Sequence, residues 1–284
     1  MRPLALAILL ATTLPIAALP APARAQTVSN MRATIHGAWS APVEPFRVAG
    51  NVYYVGARQI ASYLIVTPAG HILLDTGTKE MEPVVRRNIA KLGFRLSDIK
   101  ILLCGHAHYD HVQGHAAMKR ATGARVMALG DDALALASGR DRSPLADEER
   151  WDPVPVDRTL KDGDTVTLGG TTLKATWAPG HTPGCTVWSM RVDDKQQPRT
   201  LAFFACAGPN SEVKLVGNRQ FPRLVDETRE GLRRLRALHP DLYVTMHPDA
   251  NERPITHDDW TKMLDEIDAD LTRRVRAEQA AKRP

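Results

Sequence analysis

Residues 101–111 of the 284-residue chain read ILLCGHAHYDH. An apolar run, which is typical of a buried strand, leads directly into a cluster of three histidines and one aspartate. A rigid sheet presents ligands on the loops at its strand ends, and imidazole together with carboxylate suits zinc better than magnesium or calcium. The stretch therefore predicts a strand that ends in a zinc-binding loop.

The spacing within this loop predicts how its side chains are shared between ions. Side chains two apart in an extended segment point the same way, so His106 and His108 can bind one ion. Asp110 and His111 are adjacent, and they can serve a second ion only if the backbone turns. Two zinc ions need about six ligands, so two more must come from elsewhere. The alternative interpretation is a solvated histidine cluster without a metal.

Two later apolar runs also end in a histidine. The predicted strand 171–178 leads into His181 within the sequence GHTPG, where two prolines stiffen the loop. The predicted strand 242–246 leads into His247. These two histidines complete the predicted set of six ligands.

Three other polar residues lie near these loops in the sequence. The carboxylate of Asp75 follows a predicted strand, and it either caps the helix predicted at residues 80–92 or orients a metal ligand. We weigh these two roles equally. His71 and His115 are expected at the surface.

The N-terminus predicts export. Residues 1–25 combine a charged start, an apolar run and the small-x-small sequence Ala23-Arg24-Ala25, which is the pattern of a cleaved signal peptide. We expect a mature domain of residues 26–284, located in a bacterial periplasm. A formal net charge of +5, spread along the chain, argues against a nucleic-acid partner. No later segment is apolar enough to span a membrane, and a monomer is expected.

The three cysteines, Cys104, Cys185 and Cys206, are too few for a disulfide scaffold, and their odd number forbids full pairing. Each lies in or beside an apolar segment, which favours buried thiols. A disulfide between Cys104 and Cys206 is the alternative, and the sequence leaves it open.

The order of predicted elements indicates the fold class. Groups of short strands alternate with helices in both halves of the chain, and no Pro- or Gly-rich linker divides it. The ligands always follow strands. This pattern favours an α/β (α+β) domain in which two sheets pack face to face with helices outside.

The ligand pattern resembles that of the metallo-β-lactamase superfamily: His106-x-His108-x-Asp110-His111, then His181, then His247. The flanking sequence is similar to that of the subclass B3 β-lactamases. The similar segments are WSAPVEPF (39–46), NVYYVG (51–56), DTG (75–77), GHTPGCTVW (180–188), KLVGN (214–218) and Pro222.

This resemblance implies an αββα sandwich of two mixed sheets, the metallo-β-lactamase fold, with two zinc ions at one edge. It implies that His106, His108 and His181 bind the first ion, and that Asp110, His111 and His247 bind the second. The expected activity is hydrolysis of the amide bond of penicillins, cephalosporins and carbapenems by a metal-bound hydroxide, which confers antibiotic resistance. Asp110 is also expected to act in catalysis by orienting that hydroxide.

The chain departs from the subclass B3 pattern at one point. Many of these enzymes carry serines after the strand that ends here at Cys206, and the serines hold the carboxylate of the substrate. Residues 206–211 of this chain read CAGPNS. Asn210 and Ser211 are the candidates to replace those serines.

Two other functions are compatible with the same ligands. A dizinc hydrolase of this fold could act on a lactone or a thioester, because fold does not determine substrate. A non-enzymatic zinc protein is the other alternative. Closed structural zinc sites use four ligands, often cysteines, and this chain shows no such pattern.

Overall fold

Two β-sheets face each other in the computed structural model, which describes residues 37–145, 150–247 and 255–282. The predicted signal peptide, residues 1–25, lies outside this part of the chain. Within the described residues the first sheet has seven strands and the second has six. The first sheet consists, in order, of β1 (Phe46–Ala49), β2 (Val52–Tyr54), β3 (Tyr63–Thr67), β4 (Gly70–Leu74), β5 (Ile99–Leu103), β6 (Arg125–Leu129) and β7 (Arg158–Leu160). The second consists of β8 (Thr165–Leu168), β9 (Thr171–Trp177), β10 (Thr186–Asp194), β11 (Gln197–Phe204), β12 (Leu242–Thr245) and β13 (Ile255–Thr256).

Both sheets mix parallel and antiparallel pairs. In the first, β1 to β4 form an antiparallel meander, and β4 to β7 pair in parallel. In the second, β8 to β11 are antiparallel, while β11 and β12 are parallel. A parallel pair needs a crossover connection, and each of these connections contains at least one helix.

The side chains of the strands alternate between two apolar layers. On β5, Ile101 and Leu103 pack between the two sheets, where they meet Trp188 and Phe203 of the second sheet. Leu102 points the other way, into a cluster between the first sheet and its helices. This period of two is the geometry that a strand buried on both faces requires.

Helices cover the outer face of each sheet, so the predicted αββα sandwich is confirmed. The first sheet carries α1 (Glu82–Lys91), α2 (Tyr109–Val112), α3 (His115–Thr122) and α4 (Gly130–Ser138). The second carries α5 (Leu224–Arg236) and α6 (His257–Ala280), whose apolar faces include Leu232, Leu235, Trp260 and Leu264. Among the described residues, none of the helices has the length and apolar character needed to cross a bilayer.

Hydrogen bonds join the two sheets where the predicted ligands lie. The indole of Trp188 donates to the carbonyl of Cys104 at 3.0 Å, and the amide of Thr186 donates to the carbonyl of Gly105 at 2.8 Å. A Cβ on Gly105 would stand only 2.6 Å from the Cβ of Ala205, so the close approach requires glycine here. The loop after β5 is therefore fixed against the second sheet.

The prediction that His71 and His115 lie at the surface was wrong. Both are buried, His115 completely. The His115 ring lies under the first sheet with its Nδ1 2.8 Å from the hydroxyl of Thr76, and the His71 ring packs edge-on against Phe94. His115 is the first residue of a helix and His71 the second residue of a strand, and the inward side of these elements was not evident from the sequence.

The expectation of three buried thiols was also wrong, and so was the alternative pair. The disulfide joins Cys185 to Cys206, and Cys104 is the buried free cysteine. The antiparallel register of β10 and β11 pairs Trp188 with Phe203. Cys185 lies three residues before Trp188, and Cys206 lies three residues after Phe203. If the same register is continued, the two cysteines face each other.

Candidate metal centre

The loop after β5 brings four of the predicted ligands together. The backbone is extended at His108 and then turns into the short helix α2, whose first turn carries Asp110 and His111. The amide of His111 closes this turn by donating to the carbonyl of His108 at 3.0 Å. The turn that the two adjacent ligands require is therefore present.

His106, His108 and His181 form one group, which we call the first trio. One ring nitrogen from each lies within 4.8 Å of the others. The ring of His181 is 4.6 Å from that of His106 and 4.5 Å from that of His108, measured between centroids. The stiff loop between β9 and β10 thus delivers its histidine to the loop after β5.

Asp110, His111 and His247 form a second group, the second trio. The Nε2 atoms of the two histidines are 3.1 Å apart, and the Oδ2 atom of Asp110 is 3.3 Å from His111 and 3.4 Å from His247. Three ligands of one tetrahedral zinc ion lie about 3.3–3.6 Å from one another, given metal–ligand distances of about 2.0–2.2 Å. The spacing of the second trio therefore fits a single zinc ion.

The chemistry of His106 also fits a metal. Neither of its ring nitrogens has a hydrogen-bond partner among the described residues, although the side chain is buried. Burial, and then the nearby histidines, lowers the pKa of His106 well below its usual value, and the same causes lower the pKa of His181. Both rings are therefore neutral at pH 7, and neutral imidazole is the form that binds zinc.

His111 has a different electrostatic environment because it lies between two carboxylates. Its Nδ1 is 3.0 Å from Asp75, and its Nε2 faces Asp110. Burial alone would lower the pKa of His111, but the charges and hydrogen bonds of Asp110 and Asp75 raise it to about 10. Burial would raise the pKa of Asp110, but the histidines around it hold that pKa below its usual value.

The structure decides between the two roles of Asp75. Besides His111, its carboxylate accepts a hydrogen bond of 2.8 Å from the amide of Gly105, and it caps no helix. It orients His111 from behind, as carboxylates commonly do for metal-binding histidines. It also fixes the start of the loop that carries four of the six predicted ligands.

Asp132 is a residue near the site that the sequence analysis missed. It is buried in the first turn of α4, and its carboxylate accepts hydrogen bonds from Ala107, Thr182 and Gly184. Two aspartates open this helix, and an acid in a first turn is ordinarily explained by the helix dipole. Nothing in the local sequence indicated that one of the two points inward.

Asn210 and Ser211 lie on the segment after β11. Asn210 is half-buried and Ser211 is exposed. The backbone carbonyls of both accept hydrogen bonds from the guanidinium of Arg274 on α6. Their role in holding a substrate carboxylate stays a prediction.

The chain is similar to solved metallo-β-lactamases over almost their whole length. It shares 32% identity with FEZ-1 metallo-beta-lactamase from Legionella gormanii (TM-score 0.79), covering 84% of this chain and 98% of that one. It shares 36% identity with BJP-1, a subclass B3 metallo-beta-lactamase of Bradyrhizobium japonicum (TM-score 0.78), covering 87% of this chain and 98% of that one. The sequence resemblance to subclass B3 is thereby confirmed.

The curated relatives that the chain matches include hydroxyacylglutathione hydrolases. A hydroxyacylglutathione hydrolase of Bradyrhizobium sp. is 33% identical over 120 residues, which are 42% of this chain and 39% of that protein. One of Cereibacter sphaeroides is 28% identical over 177 residues, or 60% of this chain and 58% of that protein. The chain thus spans well under two thirds of these relatives. The family model described as the metallo-beta-lactamase superfamily matches residues 55–247, from the residue that follows β2 to the last of the six predicted ligands. The chain therefore belongs to the metallo-β-lactamase superfamily.

Proposed function

We propose that the chain is a dizinc hydrolase that opens the amide bond of β-lactams. The observation that carries the metal part is the second trio, whose three ligand atoms lie 3.1–3.4 Å from one another. The substrate part is supported by the similarity to two solved metallo-β-lactamases over 98% of their length. The similarity to hydroxyacylglutathione hydrolases covers a smaller share of both chains.

The residues of both trios have separate tasks in this reaction. Zinc, when bound, supplies a nucleophile at neutral pH and a Lewis acid for a carbonyl oxygen. His106 and His181 are neutral and can hold it without first losing a proton. Asp110 stays ionised, so it can accept a hydrogen bond from the attacking water and orient it towards the carbonyl carbon. No serine nucleophile is needed, so no acyl-enzyme accumulates.

Thioester hydrolysis is the second candidate, because the curated relatives are named hydroxyacylglutathione hydrolases. A side-by-side assay of the zinc-loaded protein separates the two. We expect turnover of a chromogenic cephalosporin and a carbapenem, and little turnover of a hydroxyacyl thioester of glutathione. Turnover of the thioester alone, at full zinc occupancy, would refute the β-lactam proposal and support the second candidate.

A non-enzymatic zinc protein is tested with His247→Ala. The side chain of His247 is 46% exposed and lies outside the core, so its removal is expected to leave the fold intact. A hydrolase would lose activity and stay folded, whereas a structural zinc site would lose its fold together with the metal. Circular dichroism and the hydrolysis assay on the same sample distinguish these outcomes.

Export to the periplasm, with removal of residues 1–25, is part of the proposal, as is a monomeric mature chain. The proposal of export is supported by the signal-like N-terminal sequence alone. N-terminal sequencing of the protein from a periplasmic extract should begin at residue 26. Recovery of the uncleaved chain from the cytoplasm would contradict this prediction.

A further inference from the structure

The carboxylate of Asp132 holds two separate loops at once. Its Oδ2 atom accepts hydrogen bonds from the amide of Ala107 at 2.9 Å and from the hydroxyl of Thr182 at 2.7 Å. Its Oδ1 atom accepts one from the amide of Gly184 at 2.9 Å. All three donors are buried, and the side chain that receives them belongs to neither loop.

The donors stand next to the first trio in the sequence. Ala107 lies between His106 and His108, and Thr182 directly follows His181. Asp132 therefore links the two loops that must meet to bind the first ion, although it contacts no ligand itself. Its hydrogen bonds act on the backbone that carries the three imidazoles.

The packing around the carboxylate shows that the link is built into the fold. A Cβ on Gly184 would lie 2.2 Å from the carbonyl oxygen of Leu129 and 2.6 Å from the Cβ of Asp132. Only glycine lets the second loop approach α4 this closely. Burial raises the pKa of Asp132 to about 6, and the three donors oppose that rise, so the group is ionised at pH 7. Hydrogen bonds to an ionised acceptor are the strong kind.

We propose that Asp132 is a positioning residue that sets the distance between His106, His108 and His181, and thereby the zinc affinity of the first trio. The inference rests on the proposed metal centre. Without this link, the free energy of zinc binding would include the cost of bringing two independent loops together. A preorganised pair of loops avoids that cost.

Asp132→Asn tests the link, with Asp131→Asn as the matched control. The amide replaces one carboxylate oxygen by an NH₂ group, which cannot accept from a backbone N–H in either orientation. Asp131 is the exposed neighbour in the same helical turn. Zinc affinity is measured by competition of the metal-free protein with a chromophoric chelator. We expect Asp132→Asn to weaken the first zinc equivalent by about 10- to 100-fold, and Asp131→Asn to leave it unchanged.

A second pair of variants keeps the test decisive if Asp132→Asn does not fold. Thr182→Val removes the hydroxyl donor at constant shape, and Thr182→Ser retains it. We expect about 10-fold weaker zinc binding in the first and near wild-type binding in the second. Since Thr182 acts through Asp132, adding Thr182→Val to Asp132→Asn should weaken binding no further.

The outcomes separate the link from the metal centre. A folded Asp132→Asn or Thr182→Val that binds zinc as tightly as its control would overturn the proposal. A purely structural role would lower the melting temperature of the metal-free variants and leave their zinc affinities equal to those of the controls, which also overturns it. A wild-type chain that binds no zinc would overturn the metal centre itself.

Discussion

In the proposed metal centre, His111 differs from His106 and His181 because it would have to lose a proton before it could bind zinc. The pKa of His111 is raised to about 10, so below that pH its ring is protonated in the metal-free protein. Zinc affinity of the second trio should therefore rise with pH, by up to about tenfold per unit. The lowered pKa values of His106 and His181 make the first trio much less sensitive.

Zinc binding at several pH values between about 6 and 8 checks this difference. Equilibrium dialysis should show that the second equivalent is lost first as the pH falls, while the first is retained. Equal pH dependence of both equivalents would contradict the assignment of a protonated His111 to one trio only.

Asp75→Asn tests the support of His111. The residue has a φ of 59°, a region that asparagine also tolerates, so the backbone should not change. Loss of the charge behind the ring should weaken the second zinc equivalent by about 10- to 100-fold. Asp98→Asn, whose carboxylate pairs with Arg95 at the surface, serves as the control. Unchanged binding in Asp75→Asn would show that Asp75 has no such role.

The long C-terminal helix α6 fixes the segment that follows β11. Arg274, whose side chain is 17% exposed, donates to four carbonyl groups of that segment, and Glu278 accepts from two of its amides. The carbonyls belong to Pro209, Asn210, Ser211 and Val213, and the amides to Leu215 and Val216. The candidate substrate-binding residues therefore depend on a helix far away in the sequence.

Arg274→Ala should lower the free energy of unfolding by about 2–3 kcal/mol, because four carbonyls, three of them in part-buried hydrogen bonds, lose a charged donor. Arg273→Ala, which removes an exposed neighbour that pairs with Asp270, should change it by less than about 0.5 kcal/mol. Urea denaturation followed by circular dichroism measures both. Equal stabilities of the two variants would show that Arg274 does not hold the segment.

The disulfide between Cys185, just before β10, and Cys206, just after β11, should stabilise the oxidised protein. It closes a loop of 21 residues, for which the loss of chain entropy in the unfolded state is worth about 3 kcal/mol. The double variant Cys185→Ala/Cys206→Ala should lose about that much in urea denaturation. A reductant should destabilise the wild type and leave the double variant unaffected. Sensitivity of the double variant to reductant would contradict the pairing.

Local patterns predicted the elements well, and contacts between distant segments explain the failures. The helix predicted at residues 80–92 spans Glu82–Lys91, and the strand predicted at 171–178 spans Thr171–Trp177. Element bounds can be read from the local sequence, because an apolar run that stops at glycine or proline marks where a helix or strand ends. The inward side of α3 and the link through Asp132 depend on which segments pack together. Hydrophobic periodicity carries no information about these contacts between distant segments.

At the level of the whole chain, the sequence predicted that the six proposed ligands would lie close together. It did not predict which contacts between the two sheets hold them there. Strand ends followed by histidines indicated one shared edge, and the structure brings all six residues to it. The hydrogen bonds from Trp188 and Thr186 that join the two sheets there come from the GHTPGCTVW segment, but the sequence does not indicate their partners, Cys104 and Gly105. Their role follows only from the way one sheet lies on the other.

The central claim is that six side chains bind two zinc ions that together hydrolyse a β-lactam. The most direct measurement adds zinc in steps to the metal-free protein and follows both bound metal and hydrolysis of a chromogenic cephalosporin. We predict no activity without metal and activity that rises until two equivalents are bound. Two bound equivalents with no hydrolysis, or hydrolysis that persists after complete metal removal, would contradict the account.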